Sequence, residues 1–159
     1  MIFAILLWCV IGAENREFQR TIPADTLITL KRTDCFFTCP DYSVTISADG
    51  KVIFEGNANV KVKGRSETTI SPEKVQLLIG SFEKAKFFSL RDSYIGPEDG
   101  CRIYDGDASS ATISITMNGK SKSIDHYLGC FQKKGTSVRT LIKLEALIDD
   151  LTNTAQWID

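Results

Sequence analysis

The sequence is short of several things. It has one histidine, His126, so a multi-histidine metal centre is excluded. It lacks an excess of charge of either sign: 19 basic residues stand against 20 acidic ones, for a net charge of −1. A strongly basic nucleic-acid binder and a highly acidic tail protein are both excluded. Long hydrophobic runs are missing too. The uncharged apolar stretch at residues 2–13 rises only about 18 Å as a helix, short of the roughly 30 Å hydrocarbon core of a bilayer. There is no Gly-rich phosphate loop, no nucleophile-elbow signature, no internal repeat and no low-complexity tract.

What is present is the composition of one folded domain: 159 residues, 43% hydrophobic and 25% charged. Residues 1–13 are expected to be a signal peptide cleaved after Ala13, although no Lys or Arg precedes the apolar run. Trp8 stands before Cys9 where a lipobox wants a small residue, which argues against lipidation. Residues 14–25 form a polar leader, and residues 26–159 a single domain. An exported address (periplasm, envelope or medium) makes Cys35, Cys39, Cys101 and Cys130 read as disulfides. Of three possible pairings, Cys35–Cys39 with Cys101–Cys130 is favoured. The first bridge requires Phe36-Phe37-Thr38 to turn, because residues four apart in a strand lie about 13 Å apart. A crossed pairing is the alternative if that segment is extended.

The periodicities predict an α+β domain: an antiparallel sheet of five to six strands, built on two hairpins, with two helices on one face. Strands are expected at 26–33 and 42–47. Asp49-Gly50 turns the chain into a return strand at 51–56, and 59–64 alternates again. Ser71-Pro72-Glu73 starts a helix, with Val75, Leu78, Ile79 and Phe82 on one face. Phe87, Phe88 and Leu90 are expected to continue that packing. Residues 91–110 are irregular. Asn118-Gly119 turns a second hairpin whose polar return arm suits an edge strand. From Ser137 a second helix places Val138, Leu141, Leu144, Ile148 and Leu151 inward. Its charges oppose its dipole, with Arg139 and Lys143 early and Asp149 and Asp150 late, so packing must hold it. Trp157 and Ile158 are expected to close the core.

The segment Arg32-Thr33-Asp34-Cys35-Phe36-Phe37-Thr38-Cys39-Pro40-Asp41-Tyr42, the Ser71-Pro72-Glu73 helix start, the Phe87-Phe88-Ser89-Leu90 stretch and the closing Asp149 to Ile158 pattern resemble an uncharacterised bacterial family, the domain of unknown function numbered 6438. The similarity runs over about residues 26–158. Phe37 stands where the family pattern suggests Gly. The resemblance implies a small extracytoplasmic domain and no particular activity.

Each chemical motif has a plainer reading. Cys35-x-x-x-Cys39 has one residue too many for a thioredoxin-type dithiol. Cys35, Cys39, His126 and Cys130 have the ligand types of a Cys₃His zinc site, but Cys101 offers Cys130 a disulfide partner. His126 alone reads as a surface or strand-end residue, or one bonded to Asp125. Glu98, Asp99, Asp105 and Asp107 lack calcium-loop spacing. Lys61, Lys63, Arg65, Lys120 and Lys122 would share one side of alternating strands, as lysines guarding edges do. The reading is a disulfide-stabilised binding or interaction module with no cofactor. Its partner would be an envelope protein or small ligand rather than nucleic acid. Its candidate ligand loop includes Glu98, Asp99, Arg102, Tyr104, Asp105 and Asp107. The alternatives are an envelope thiol-redox enzyme, an enzyme inhibitor or the zinc domain.

Overall fold

A computed structural model of the chain describes residues 21–33, 35–103, 106–132 and 137–158. The expected signal peptide and residues 14–20 of the leader lie outside these residues, as do Tyr104 and Asp105. The first strand, β1 (Leu27–Arg32), is central. On one side it pairs with β2 (Asp41–Ser47), which pairs with β3 (Lys51–Ala58) and then β4 (Gly64–Thr69). On the other side lie β7 (Ser110–Met117), β8 (Lys120–Tyr127) and the short β5 (Ser93–Tyr94). The sheet therefore has seven strands in the order β4-β3-β2-β1-β7-β8-β5 among the described residues. All neighbours are antiparallel except β5 and β8. A separate two-stranded ribbon joins β6 (Arg102–Ile103) to β9 (Cys130–Phe131). Helices α1 (Pro72–Lys84), α2 (Ser137–Thr152) and the single-turn α3 (Ala155–Ile158) complete the fold.

This is α+β as expected, with more strands and one more helix. The extra strands are two-residue pieces with no periodicity to read. Of residues 59–64, expected as a strand, 59–63 are instead the connection between β3 and β4, and Gly64 opens β4. Asn59 takes a left-handed φ of 54°, and the Val62 amide bonds to the Trp157 carbonyl rather than to a strand. The basic residues assigned to one side are accordingly separated. Lys61 and Lys63 lie in that connection, and Arg65 on β4 pairs with Glu67. Lys120 and Lys122 are on β8, four strands beyond β3, where Lys122 pairs with Asp92.

The period-two alternation buries one face of the sheet. Ile28, Leu30, Val44, Ile46, Val52, Phe54, Ile113, Ile115 and Ile124 pack with Val75, Leu78, Phe82, Leu141 and Ile148 of the helices. The opposite face carries half-buried Thr29, Thr45 and Ser114. Both hairpins turn where the residues demand. Gly50 has φ 82°, and Asn118 and Gly119 have φ 52° and 70°. Trp157 stacks on Phe54 at 4.8 Å and closes the core. Phe87 is buried edge-on to Phe82 at 4.9 Å, whereas Phe88, expected inside, is turned outward by the 3-10 turn over 87–89.

Candidate functional site

β1 runs parallel to β8, because each is antiparallel to β7 between them. Their C-terminal ends therefore share one end of the sheet, and both disulfides lie just beyond it. Cys35 pairs with Cys39 (Cα–Cα 5.3 Å) after β1, and Cys101 with Cys130 (5.1 Å) after β8. The segment 36–38 does turn, despite Phe37, and it does so with both rings outside. Phe36 and Phe37 are 77% and 74% exposed, edge-to-face at 5.0 Å. Asn59 donates to the Cys39 carbonyl at 3.1 Å and steadies the loop's exit. Phe131, 52% exposed, is on β9 beside Cys130.

Beneath this end lies a row of cross-strand partners on the covered face: Tyr42, Arg32, Ala111 and His126, one each from β2, β1, β7 and β8. Each continues a core alternation, as Ile28-Leu30-Arg32 and Ile124-His126 show. Ala111 is small, and the row is met from above by Glu145 and Asp149, one turn apart on α2. Arg32 Nη2 and Nε donate to Asp149 Oδ2 at 2.9 and 3.3 Å, and Nη1 to Glu145 Oε2 at 3.4 Å. The Tyr42 hydroxyl donates to Asp149 Oδ1 at 2.8 Å and accepts from Arg32 Nε at 3.0 Å. His126 Nδ1 lies 2.8 Å from Glu145 Oε1. A carboxylate accepts only, so the proton sits on Nδ1. Nε2 is then left in the core with no hydrogen-bond partner among the described residues.

Burial opposes the Arg32 charge, but Asp149, Tyr42 and Glu145 together outweigh it and raise the guanidinium pKa. The Tyr42 hydroxyl is pushed well above its ordinary value, first by burial and then by Asp149. A carboxylate on a histidine Nδ1 is the orientation used for bases and metal ligands. Here the ring is 0% exposed, and the group acts as a clamp that ties α2 to three strands of the sheet.

This corrects the reading of His126. It is neither a surface residue nor bonded to Asp125; period-two alternation turns Asp125 to the open face, where Thr112 donates to it. It also explains the dipole conflict in α2: Asp149 sits at the unfavourable end because Arg32 and Tyr42 need it there. Glu145 was missed, yet the signal was present. It occupies the same stripe as Leu141, Ile148 and Thr152, so an acid lies on a core-facing line.

The remaining expected residues are dispersed. Asp99 accepts from the Ile95 amide (3.0 Å) and from Ser93 Oγ (2.7 Å), and these bonds, the amide first, draw its pKa down. Glu98 is exposed, and its backbone carbonyl accepts from Arg91 Nη1. Arg102 is exposed on β6, and Asp107 is exposed. The four zinc candidates are not brought together: three are in disulfides and His126 faces Glu145. Among the described residues no cluster of three or more His, Cys, Asp or Glu is placed to hold a metal. No described helix is long and apolar enough to cross a membrane.

The fold and its end-on disulfides define a small disulfide-tied α+β domain, one sheet covered on one face by helices. The profile of the domain of unknown function DUF6438 matches residues 26–152. The chain belongs to that family. No curated protein matches it.

Proposed function

We propose that the protein is an exported binding module that engages a protein partner through the disulfide-bearing end of its sheet. The observation that carries this reading is the Phe36–Phe37 pair. Two phenylalanines held three-quarters exposed on a loop closed at both ends are what an interaction anchor requires. Burying each in a partner's apolar pocket contributes about 1.5–3 kcal/mol. The clamp lowers the ordering cost, because the loop is shaped before it binds. The Arg32 network gives the loop a rigid base. Two disulfides fit an oxidising compartment, where such bonds persist. On this reading the described part of the 91–110 stretch, tied to β9 through Cys101–Cys130, adds a polar rim with Glu98, Arg102 and Asp107.

The test is a dissociation constant. A partner recovered from the envelope is purified, and its affinity is measured against wild type, Phe36→Ser/Phe37→Ser and Leu77→Ser. Leu77 is 53% exposed on α1, away from the loop, and serves as the control. The loop variant should bind at least ~tenfold more weakly, and the control unchanged. Equal affinities would overturn the reading, as would a pure protein that pairs with itself through the same rings.

A further inference from the structure

A second site, independent of the first, lies in the helical layer. The C-terminal turn of α1 and the N-terminal half of α2 leave a cleft of about 520 Å³ between them. Ser81, Lys84 and Ala85 line it from α1 and its cap, Lys86 from the following residue, and Thr140, Lys143, Leu144 and Leu147 from α2. The α1 and α2 residues follow helical spacing, so each helix presents one continuous face. The charge is of one sign: three lysines and no carboxylate line the cleft. Four other described cations are ion-paired, in Arg32–Asp149, Lys51–Glu67, Arg65–Glu67 and Lys122–Asp92. Lys84, Lys86 and Lys143 make no ion pair among the described residues. Lys84 at the end of α1 suits the helix dipole by itself. That role does not require Lys86, which the chain holds in a left-handed φ of 50°, nor Lys143, in the first half of α2 where a cation is disfavoured.

The floor differs from the rim. Ala85, Leu144 and Leu147 are apolar, and the Thr140 hydroxyl adds a donor and acceptor at the edge, while the Ser81 hydroxyl donates to the Leu77 carbonyl at 2.8 Å. The volume lies in the range of small-molecule pockets. Three cations over an apolar floor match a molecule with an anionic head and an apolar body. The lysines line a concavity rather than a plane, which suits one molecule better than a bilayer surface. We propose that the α1–α2 cleft binds a small amphiphilic anion, a phosphate monoester or carboxylate bearing an apolar chain.

Monomeric dodecyl phosphate is the probe, titrated by calorimetry into the full disulfide-bonded protein at low and high salt. Dodecyl maltoside supplies the same chain without charge, inorganic phosphate the charge without the chain, and phosphatidylglycerol vesicles the membrane alternative. Saturable binding of dodecyl phosphate that weakens with salt is expected, with neither control matching it. The variant Lys84→Gln/Lys86→Asn/Lys143→Gln should bind at least ~tenfold more weakly, each lost charge-assisted contact contributing to the change. Asn is chosen at 86 because it tolerates the left-handed conformation. Thr140→Glu puts a carboxylate among the lysines, three residues before Lys143 on the same helix face, and should abolish binding with the fold intact. Equal binding of dodecyl maltoside, unchanged affinity in the triple variant, or binding to vesicles without binding to the monomer would overturn the proposal.

Discussion

Glu145→Leu is the sharpest perturbation of the fold's base. Glu145 is 1% exposed and its neighbour His126 is 0% exposed. Removing the carboxylate takes from His126 Nδ1 its only acceptor among the described residues and a 3.4 Å contact from Arg32. Arg32 keeps Asp149 and Tyr42, so the main cost is a buried imidazole with both nitrogens unpartnered. Breaking a buried pair from one side costs about 3–5 kcal/mol, whereas replacing both members with apolar groups is often near neutral. The double variant His126→Phe/Glu145→Leu should therefore recover most of the loss. Domains of this size are stable by about 5–15 kcal/mol, so the single variant remains measurable. The assay is urea unfolding with disulfides intact, scored at constant m. A single-variant cost under about 1 kcal/mol, or a double variant as unstable as the summed singles, would refute the clamp.

Two further outcomes follow from the same network and from the turns. The raised Tyr42 pKa means that the unfolded chain loses this proton above pH 10.0 while the folded protein keeps it. Stability from this group is thus full below that pH and lost above it. Absorbance of the folded protein should show the Tyr42 hydroxyl ionising only on unfolding, a component that Tyr42→Phe removes; wild type and variant with identical tyrosinate curves would contradict the assignment. Gly50 and Gly64 share left-handed φ values of 82° and 81°, but a Cβ at Gly50 would lie 2.2 Å from the Ile70 carbonyl oxygen, whereas one at Gly64 meets open space. Gly64→Ala should cost about 1–2 kcal/mol and Gly50→Ala clearly more, by thermal or urea unfolding. Equal costs would place the strain elsewhere.

The hairpins and the helix starts were legible because each is local: period-two alternation, a Gly at a turn, Ser-Pro-Glu; the even count of cysteines beyond Cys9 pointed to disulfides but left their pairing open. The network was not, because it assembles partners as far apart as Arg32 and Asp149. Its members nevertheless broke local rules in view: Arg32 ended an inward alternation, Glu145 interrupted an apolar stripe, and Asp149 opposed a helix dipole. Such violations mark sites where tertiary structure overrides local preference. The strand expected at 59–64 failed for the converse reason. Its alternation is real, with Val60 and Val62 packed on the core, but a left-handed Asn59 and the bond to Trp157 hold it as a connection. The Phe36–Phe37 exposure could not be read at all, since apolar residues beside cysteines usually point inward.

The central claim is that the clamped phenylalanine pair is the contact surface. Photo-crosslinking tests it most directly, with a benzophenone amino acid placed at position 37 or, as control, at position 77, in the presence of the purified partner. The account predicts one discrete adduct from position 37, none from position 77, and loss of the adduct when Cys35→Ser/Cys39→Ser opens the loop. Adducts of equal yield from both positions, or an adduct at 37 that survives opening of the loop, would contradict it.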